Sequence, residues 1–272
     1  MSERPEFSTV KRLACLALAL SATLPAAAQD HSRVAILPGW QMADGRYLAG
    51  VEITLGPGWK TYWRQPGEGG IPPIFDWSAS DNVASVEAVW PTPDIFDTYG
   101  MRTLGYSDRV VFPMMLTPVD ATEPVRATLA MSYGVCSDIC IPAQAEAANT
   151  LTRGEPVNVS VLSAALDARA IGPESAGVTG TSCNVAPQGE YAYSIEASIG
   201  FSEAAPGNLV AVFEVPEPDL WIGTPQAAPR GDTLTAQARM DWFGDGPLAL
   251  VRDDIRITLI EPGVRSIEIS GC

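Results

Sequence analysis

The stretch VRATLAMSY, residues 125–133, alternates apolar and polar side chains with a period of two residues. Alternate residues of an extended chain point to the same face, so this pattern predicts a strand that covers a core with one face. The predicted core face contains Val125, Ala127, Leu129, Met131 and Tyr133. The stretch RYLAGVEITL, residues 46–55, repeats the pattern. Helical periodicity is weak over most of the chain.

The composition supports an all-β chain with many turns. Gly and Pro together make up about 17% of the residues, above the usual level of about 12%. Turn-forming stretches such as GPG (56–58) and PGEGG (66–70) separate the predicted strands. The best helix candidate is SVLSAALDARAIG, residues 160–172, with Ser160 as a possible N-cap. The fold class expected from these patterns is all-β.

The first 28 residues have the features of a signal peptide. Lys11 and Arg12 give a positive start, a short apolar run LACLALALSATL follows, and AAA before Gln29 suits cleavage. We expect residues 1–28 to be removed on export to the periplasm. The rest of the sequence has no apolar stretch long enough for a membrane span, so the mature chain is expected to have none.

Four segments follow from these patterns. Residues 1–28 are the predicted signal peptide, and residues 29–159 a first β-sandwich. Residues 160–182 form a predicted helix and linker, and residues 183–272 a second β-sandwich.

The formal net charge of −15 at pH 7 argues against nucleic acid as a partner. A surface of this sign repels the phosphate backbone, which dominates the affinity of nucleic-acid-binding proteins. We therefore expect no nucleic-acid partner.

Four cysteines remain after the predicted signal peptide, and three pairings are possible. Cys183 opens the second sandwich and Cys272 is the last residue. A disulfide between them would close a loop of about 90 residues, worth about 4.6 kcal/mol in the chain-entropy model. This bond is predicted to be structural.

Cys136 and Cys140 are only four positions apart. Closing so short a loop contributes only about 2 kcal/mol, so the bond would be a poor structural link. Redox activity, a structural role and metal binding all remain open from spacing alone. Zinc would need more Cys or His ligands, and the only histidine, His31, lies at the start of the mature chain. Copper(I) would need a nearby methionine, and the candidates are Met101, Met114, Met115 and Met131, although Met131 falls on the core face.

No internal histidine is available for a Ser-His-Asp or Cys-His arrangement, which excludes that class of hydrolase. The site is expected to contain no metal and to need no cofactor.

Four motifs in order carry a family resemblance: GPGWKTYWRQPG, WPTPDIFDTYG, GYSDRVVFP and YGVCSDICIP. Together they resemble the periplasmic N-terminal domain of the thiol:disulfide interchange protein DsbD family. They are closer still to its suppressor-of-copper-sensitivity branch, ScsB. The resemblance implies immunoglobulin-like sandwiches and electron transfer through Cys136 and Cys140. It also implies two partners: a membrane-embedded thiol reductant as donor and oxidised periplasmic thiol proteins as acceptors.

The same resemblance implies roles for residues near the cysteines. Phe96, Tyr99 and Gly100 would belong to a cap loop that shields the pair, and Tyr62 would lie near it. Ordinary core packing is the alternative for the aromatic residues.

The sequence around the motif contains no lysine or histidine, so we expect no activating cation at the thiols. Asp138, between the cysteines, would raise a neighbouring thiol pKa. Cys140 is the predicted point of first attack, because Pro142 follows it closely. Two alternatives to exchange chemistry remain: a non-catalytic interaction module with structural disulfides, and a copper(I)-binding protein.

Overall fold

The computed structural model describes residues 31–98 and 100–272, so the predicted signal peptide (1–28) and Tyr99 lie outside the described residues. The described part contains eighteen strands, one α-helix and two short 3₁₀ turns. Strands β1–β5 are Ser32–Gln41, Tyr47–Leu55, Lys60–Gly67, Ile74–Asp76 and Ser85–Ala88. Strands β6–β10 are Asp94–Thr98, Met101–Ser107, Arg109–Thr117, Val125–Cys136 and Cys140–Leu151.

Helix α1 spans Val159–Asp167, and the 3₁₀ turns are Glu174–Ala176 and Arg252–Asp254. Strands β11–β14 are Val178–Pro187, Ala192–Phe201, Val210–Glu214 and Leu220–Ile222. Strands β15–β18 are Gln226–Arg230, Thr233–Trp242, Arg256–Glu261 and Arg265–Ser270.

The first sandwich contains a four-stranded sheet, β1-β2-β8-β5, and a six-stranded sheet, β10-β9-β3-β7-β6, in which β4 also pairs with β9. All pairings within these sheets are antiparallel. The core between them includes Trp63, Phe112 and the predicted face of 125–133, whose five apolar residues are all buried. The alternation had therefore identified the inward face of β9 correctly.

The second sandwich pairs β11-β12-β16-β14, with β15 also on β16, against a three-stranded sheet, β13-β17-β18. Its core includes Phe213, Ile257 and Leu259. Cys183 and Cys272 belong to the same apolar cluster. The expectation of an all-β chain is confirmed.

Helix α1 differs in detail from its prediction. Its N-cap is Asn158 rather than the predicted Ser160. The helix begins at Val159 and ends at Asp167. Asn158 adopts a left-handed conformation (φ 52°) and its side-chain amide donates to the carbonyl of Pro38 instead of capping the helix. The helix is held by burial of Leu162 against the four-stranded sheet.

The predicted segment boundaries remain predictions. Strand β11 begins at Val178, inside the segment expected to be linker. Among the described residues, no helix is long and apolar enough to cross a membrane.

The three-stranded sheet of the second sandwich also contacts the first. Val212 and Ile260 join the core cluster of the first sandwich. Arg64 of β3 forms ion pairs with Glu214 (2.8 Å) and Glu268 (2.6 Å) of the second sandwich. Since residues two apart on a strand share a face, Arg64 lies on the same side of β3 as Tyr62. The second sandwich therefore covers part of the face on which the cysteines lie.

Candidate redox site

Cys136 and Cys140 close the hairpin between β9 and β10. They are direct cross-strand partners, and only Ser137–Ile139 separate them. The amide of Ser137 donates to the carbonyl of Ile139 at 3.1 Å, which tightens the loop. The two cysteines form a disulfide, with a Cα–Cα distance of 4.1 Å. Cys136 is therefore the last residue of β9, and Cys140 is the first residue of β10.

The two sulfur-bearing residues differ sharply in exposure. Cys136 follows the core residue Val135, so its side chain points to the outer face of the sheet, where it is only 1% exposed. Cys140 is exposed, and its neighbour Ile139 is 66% exposed. A thiolate from solvent or from a partner can therefore approach Cys140, whereas Cys136 is enclosed.

Tyr62 makes the closest polar contact with the disulfide. Strand β3 turns Thr61 and Trp63 to one face and Tyr62 to the other. The Tyr62 hydroxyl lies 2.8 Å from the Sγ atom of Cys136 and 3.2 Å from that of Cys140. Burial raises the pKa of Tyr62, so the hydroxyl keeps its proton and serves as a donor.

The loop after β3 forms a wall of the site. A Cβ atom at Gly70 would lie 2.6 Å from Cδ1 of Tyr62, and one at Gly134 would lie 2.8 Å from Cβ of Ile71. Both glycines are therefore needed for the loop to pack on Tyr62 and on β9. The carbonyl of Gly69 lies 4.0 Å from Sγ of Cys140. From the sequence, the PGEGG stretch was identified only as a turn; its adjacent glycines were the one signal of a close approach.

Phe96 and Gly100, two of the predicted cap residues, lie on the hairpin formed by β6 and β7. Phe96 is half-buried, and its ring centroid lies 4.9 Å from Nζ of Lys60. Gly100 is exposed and has φ 83°, as the turn of this hairpin requires. Tyr99 falls outside the described residues. The aromatic contact that the structure describes for Phe96 is thus with Lys60 rather than with either sulfur.

Lys60 is a basic residue beside the pair that the sequence around the motif did not reveal. Strand β3 pairs with β9 so that Lys60 is directly opposite Cys136. Its Nζ atom lies 3.5 Å from Oγ1 of Thr103, and partial burial lowers its pKa. The sequence analysis considered only neighbours along the chain, whereas the pairing of β3 with β9 joins distant parts of it.

The second disulfide, Cys183–Cys272, lies in a different environment. It joins the start of the second sandwich to the end of the chain, with a Cα–Cα distance of 5.2 Å. Cys183 is buried, and its carbonyl accepts a hydrogen bond from the guanidinium of Arg252. The amide of Cys272 donates to the carbonyl of Arg252 at 3.2 Å. Both ends of this bond are therefore held by the same residue.

His31, Met114 and Met131, three of the residues considered for a metal, make their contacts elsewhere, whereas Met101 lies beside Gly69 in the loop next to Cys140. His31 stacks on Trp59 with a centroid distance of 3.9 Å, while Met114 and Met131 are buried in the first core. Within residues 31–98 and 100–272, no group of three or more His, Cys, Asp or Glu side chains is arranged to hold a metal ion.

Comparison with known proteins adds a family and a fold. Residues 28–152 match the family model described as thiol:disulfide interchange protein DsbD, N-terminal. Among solved structures, the N-terminal periplasmic domain of ScsB from Proteus mirabilis is similar, with a TM-score of 0.67 and 24% sequence identity. The similarity covers 91% of this chain and 96% of that one. None of the curated proteins matches this chain. The predicted pair of immunoglobulin-like sandwiches is confirmed.

Proposed function

We propose that this chain is a periplasmic thiol–disulfide exchange module, because residues 28–152 match the family model of the DsbD N-terminal domain. In this proposal the Cys136–Cys140 pair takes electrons from a membrane-embedded thiol reductant and passes them to oxidised exported proteins. The unequal exposure of the two cysteines is the observation that carries the proposal.

The exposure assigns a different role to each sulfur. A thiolate of the reductant attacks Sγ of Cys140, the disulfide breaks, and Cys136 leaves with the electron pair of the bond. The second thiolate of the reductant then displaces Cys140, so the reductant ends as a disulfide and the module as a dithiol. In the second half of the cycle, Cys140 attacks a client disulfide and Cys136 resolves the mixed disulfide.

Tyr62 fits the same scheme. Its hydroxyl can donate to the thiolate that Cys136 becomes, because it already lies 2.8 Å from that sulfur. A hydrogen bond to the charged form favours ionisation and makes Cys136 a better leaving group. Phe96 and the hairpin turn at Gly100 would limit access to the pair until a partner docks.

Two observations support the periplasm as the location. The sequence begins with the features of a signal peptide, and the similar structure of ScsB is of a periplasmic domain. The oxidising environment of the periplasm also suits the Cys183–Cys272 bond.

A redox titration tests the proposal. The mature protein is equilibrated in glutathione and dithiothreitol buffers, alkylated, and each cysteine is read by peptide mass spectrometry. We expect Cys136–Cys140 to open well before Cys183–Cys272, which serves as the internal control. If both bonds persist to about −300 mV or below, the short-loop bond is structural and the protein is an interaction module.

Mixed-disulfide trapping tests the assignment of the two sulfurs. The Cys136→Ser variant leaves Cys140 free and should accumulate an adduct with an oxidised partner. The Cys140→Ser variant leaves only the buried Cys136 and should accumulate far less. Adducts confined to the Cys140→Ser variant would reverse the order of attack.

A further inference from the structure

Residues 31–272 contain a single lysine, and it lies beside the cysteine pair. Lys60 is the only lysine between residues 31 and 272, where every other basic side chain except His31 is an arginine. That single lysine is the direct cross-strand partner of Cys136. A lysine carries a compact charge on a flexible stem, whereas an arginine carries a rigid planar fork.

The surroundings of Lys60 leave its charge without a counter-ion. In the part of the chain that the structure describes, no carboxylate lies within ion-pair distance of its Nζ atom. Its contacts are the Thr103 hydroxyl at 3.5 Å and the face of Phe96 at 4.9 Å. Partial burial makes an unpaired ammonium costly, and a nearby anion would relieve that cost.

Reduction of the disulfide supplies such an anion. Directly opposite residues on antiparallel strands share a face, with Cβ atoms about 5 Å apart. The four-carbon stem of Lys60 can therefore bring its ammonium to Sγ of Cys136 by a change of rotamer. We propose that Lys60 is the counter-charge of the Cys136 thiolate and leaves the ring of Phe96 when the disulfide opens. The biological role of this ion pair rests on the proposed function.

The step is balanced without a further reactant. When a partner thiolate attacks Cys140, a new sulfur–sulfur bond forms there and the Cys136–Cys140 bond breaks. Both electrons of that bond stay on Cys136, which becomes a thiolate. The Lys60 ammonium then pairs with this thiolate, and no proton is transferred. Because the same ammonium contacts Phe96 in the disulfide state, opening the bond also removes one contact that holds the cap hairpin.

Other charged groups near the site are accounted for by the structure. Arg102 and Asp97 pair with each other on the cap hairpin, and Glu68 accepts a hydrogen bond from Thr224. Asp138 is exposed in the hairpin loop. Asp94 is in register with Gly105, the cross-strand partner of Tyr62, and burial raises its pKa. Among the described residues, the Tyr62 hydroxyl is the remaining side-chain group in hydrogen-bond contact with the sulfurs.

The pKa of Cys136 is the first test. In the Cys140→Ser variant, Cys136 is the only free thiol, and its ionisation can be followed by the ultraviolet absorbance of the thiolate. Adding Lys60→Met should raise this pKa by about 1–3 units, since an opposite charge at close range lowers it by that amount. Lys60→Arg keeps the charge and should restore part of the shift. Equal pKa values in all three proteins would overturn the inference.

A second test reads the lysine directly. Because residues 29–272 contain one lysine, protein of these residues labelled with carbon-13 lysine gives one side-chain NMR signal. Its chemical shift should change on reduction, and the change should vanish in the Cys136→Ser variant. An unchanged signal would contradict the proposed movement.

These readouts do not depend on the proposed function. Failure of exchange chemistry appears in the redox titration, whereas failure of this inference appears as an unchanged Cys136 pKa and an unchanged lysine signal.

Discussion

Tyr62→Phe removes a single hydroxyl from the site and tests its geometry. The Tyr62 oxygen lies 2.8 Å from Sγ of Cys136, within hydrogen-bond distance of the thiolate that reduction creates. A hydrogen bond to a charged group contributes about 1.5–3 kcal/mol, and one pKa unit corresponds to 1.36 kcal/mol. Losing the hydroxyl should therefore raise the pKa of Cys136 by about 1–2 units. The ring remains, so the packing against the Gly70 loop is retained.

The assay uses the Cys140→Ser background, which leaves Cys136 as the only free thiol while Cys183–Cys272 stays closed. Thiolate absorbance is recorded against pH with and without Tyr62→Phe. Tyr133→Phe is the matched control: it removes a hydroxyl from β9, but that hydroxyl bonds to Ser32 at 2.8 Å on the other face of the strand.

The control should leave the pKa of Cys136 unchanged. The reasoning fails if Tyr62→Phe shifts this pKa by less than about 0.3 units, or if Tyr133→Phe shifts it equally. Either result would mean that the Tyr62 hydroxyl does not donate to the thiolate.

Three further predictions concern stability, each measured by urea denaturation. Replacing both Cys183 and Cys272 by Ser should cost about 4–5 kcal/mol, because the bond closes a long loop; a loss below about 1 kcal/mol would contradict a structural role. Arg64→Met should cost about 1.5–3 kcal/mol, because Glu214 and Glu268 lose their short charged hydrogen bonds and keep only the longer contacts with Arg256 at 4.0 and 3.6 Å. Arg126→Met, which breaks an exposed pair with Asp81, should cost less than about 1 kcal/mol. Burial raises the pKa of Tyr106 well above its usual value. The unfolded state therefore releases this proton at a lower pH than the folded state, and the free energy of unfolding should fall as pH rises above about 10. The Tyr106→Phe variant should not show this fall. An equal fall in both proteins would refute the assignment to Tyr106.

The sequence predicted the strands better than the segments that join them. Period-two alternation marks the buried face of β9, since a strand with one face on a core needs apolar residues only there. Helix α1 was found but misplaced at both ends, because its position depends on Leu162 meeting the four-stranded sheet rather than on a local cap. Local patterns carry no information on such a contact.

The candidate site shows the same division between local and distant information. Spacing and motifs, on their own, identified Cys136 and Cys140 and drew attention to Tyr62. Only the tertiary structure decided that Cys136 is enclosed while Cys140 is exposed, and that Tyr62 reaches both sulfurs. It also placed Lys60 opposite Cys136. The physical reason is that strand pairing joins residues far apart in the chain, and its register decides which side chains meet.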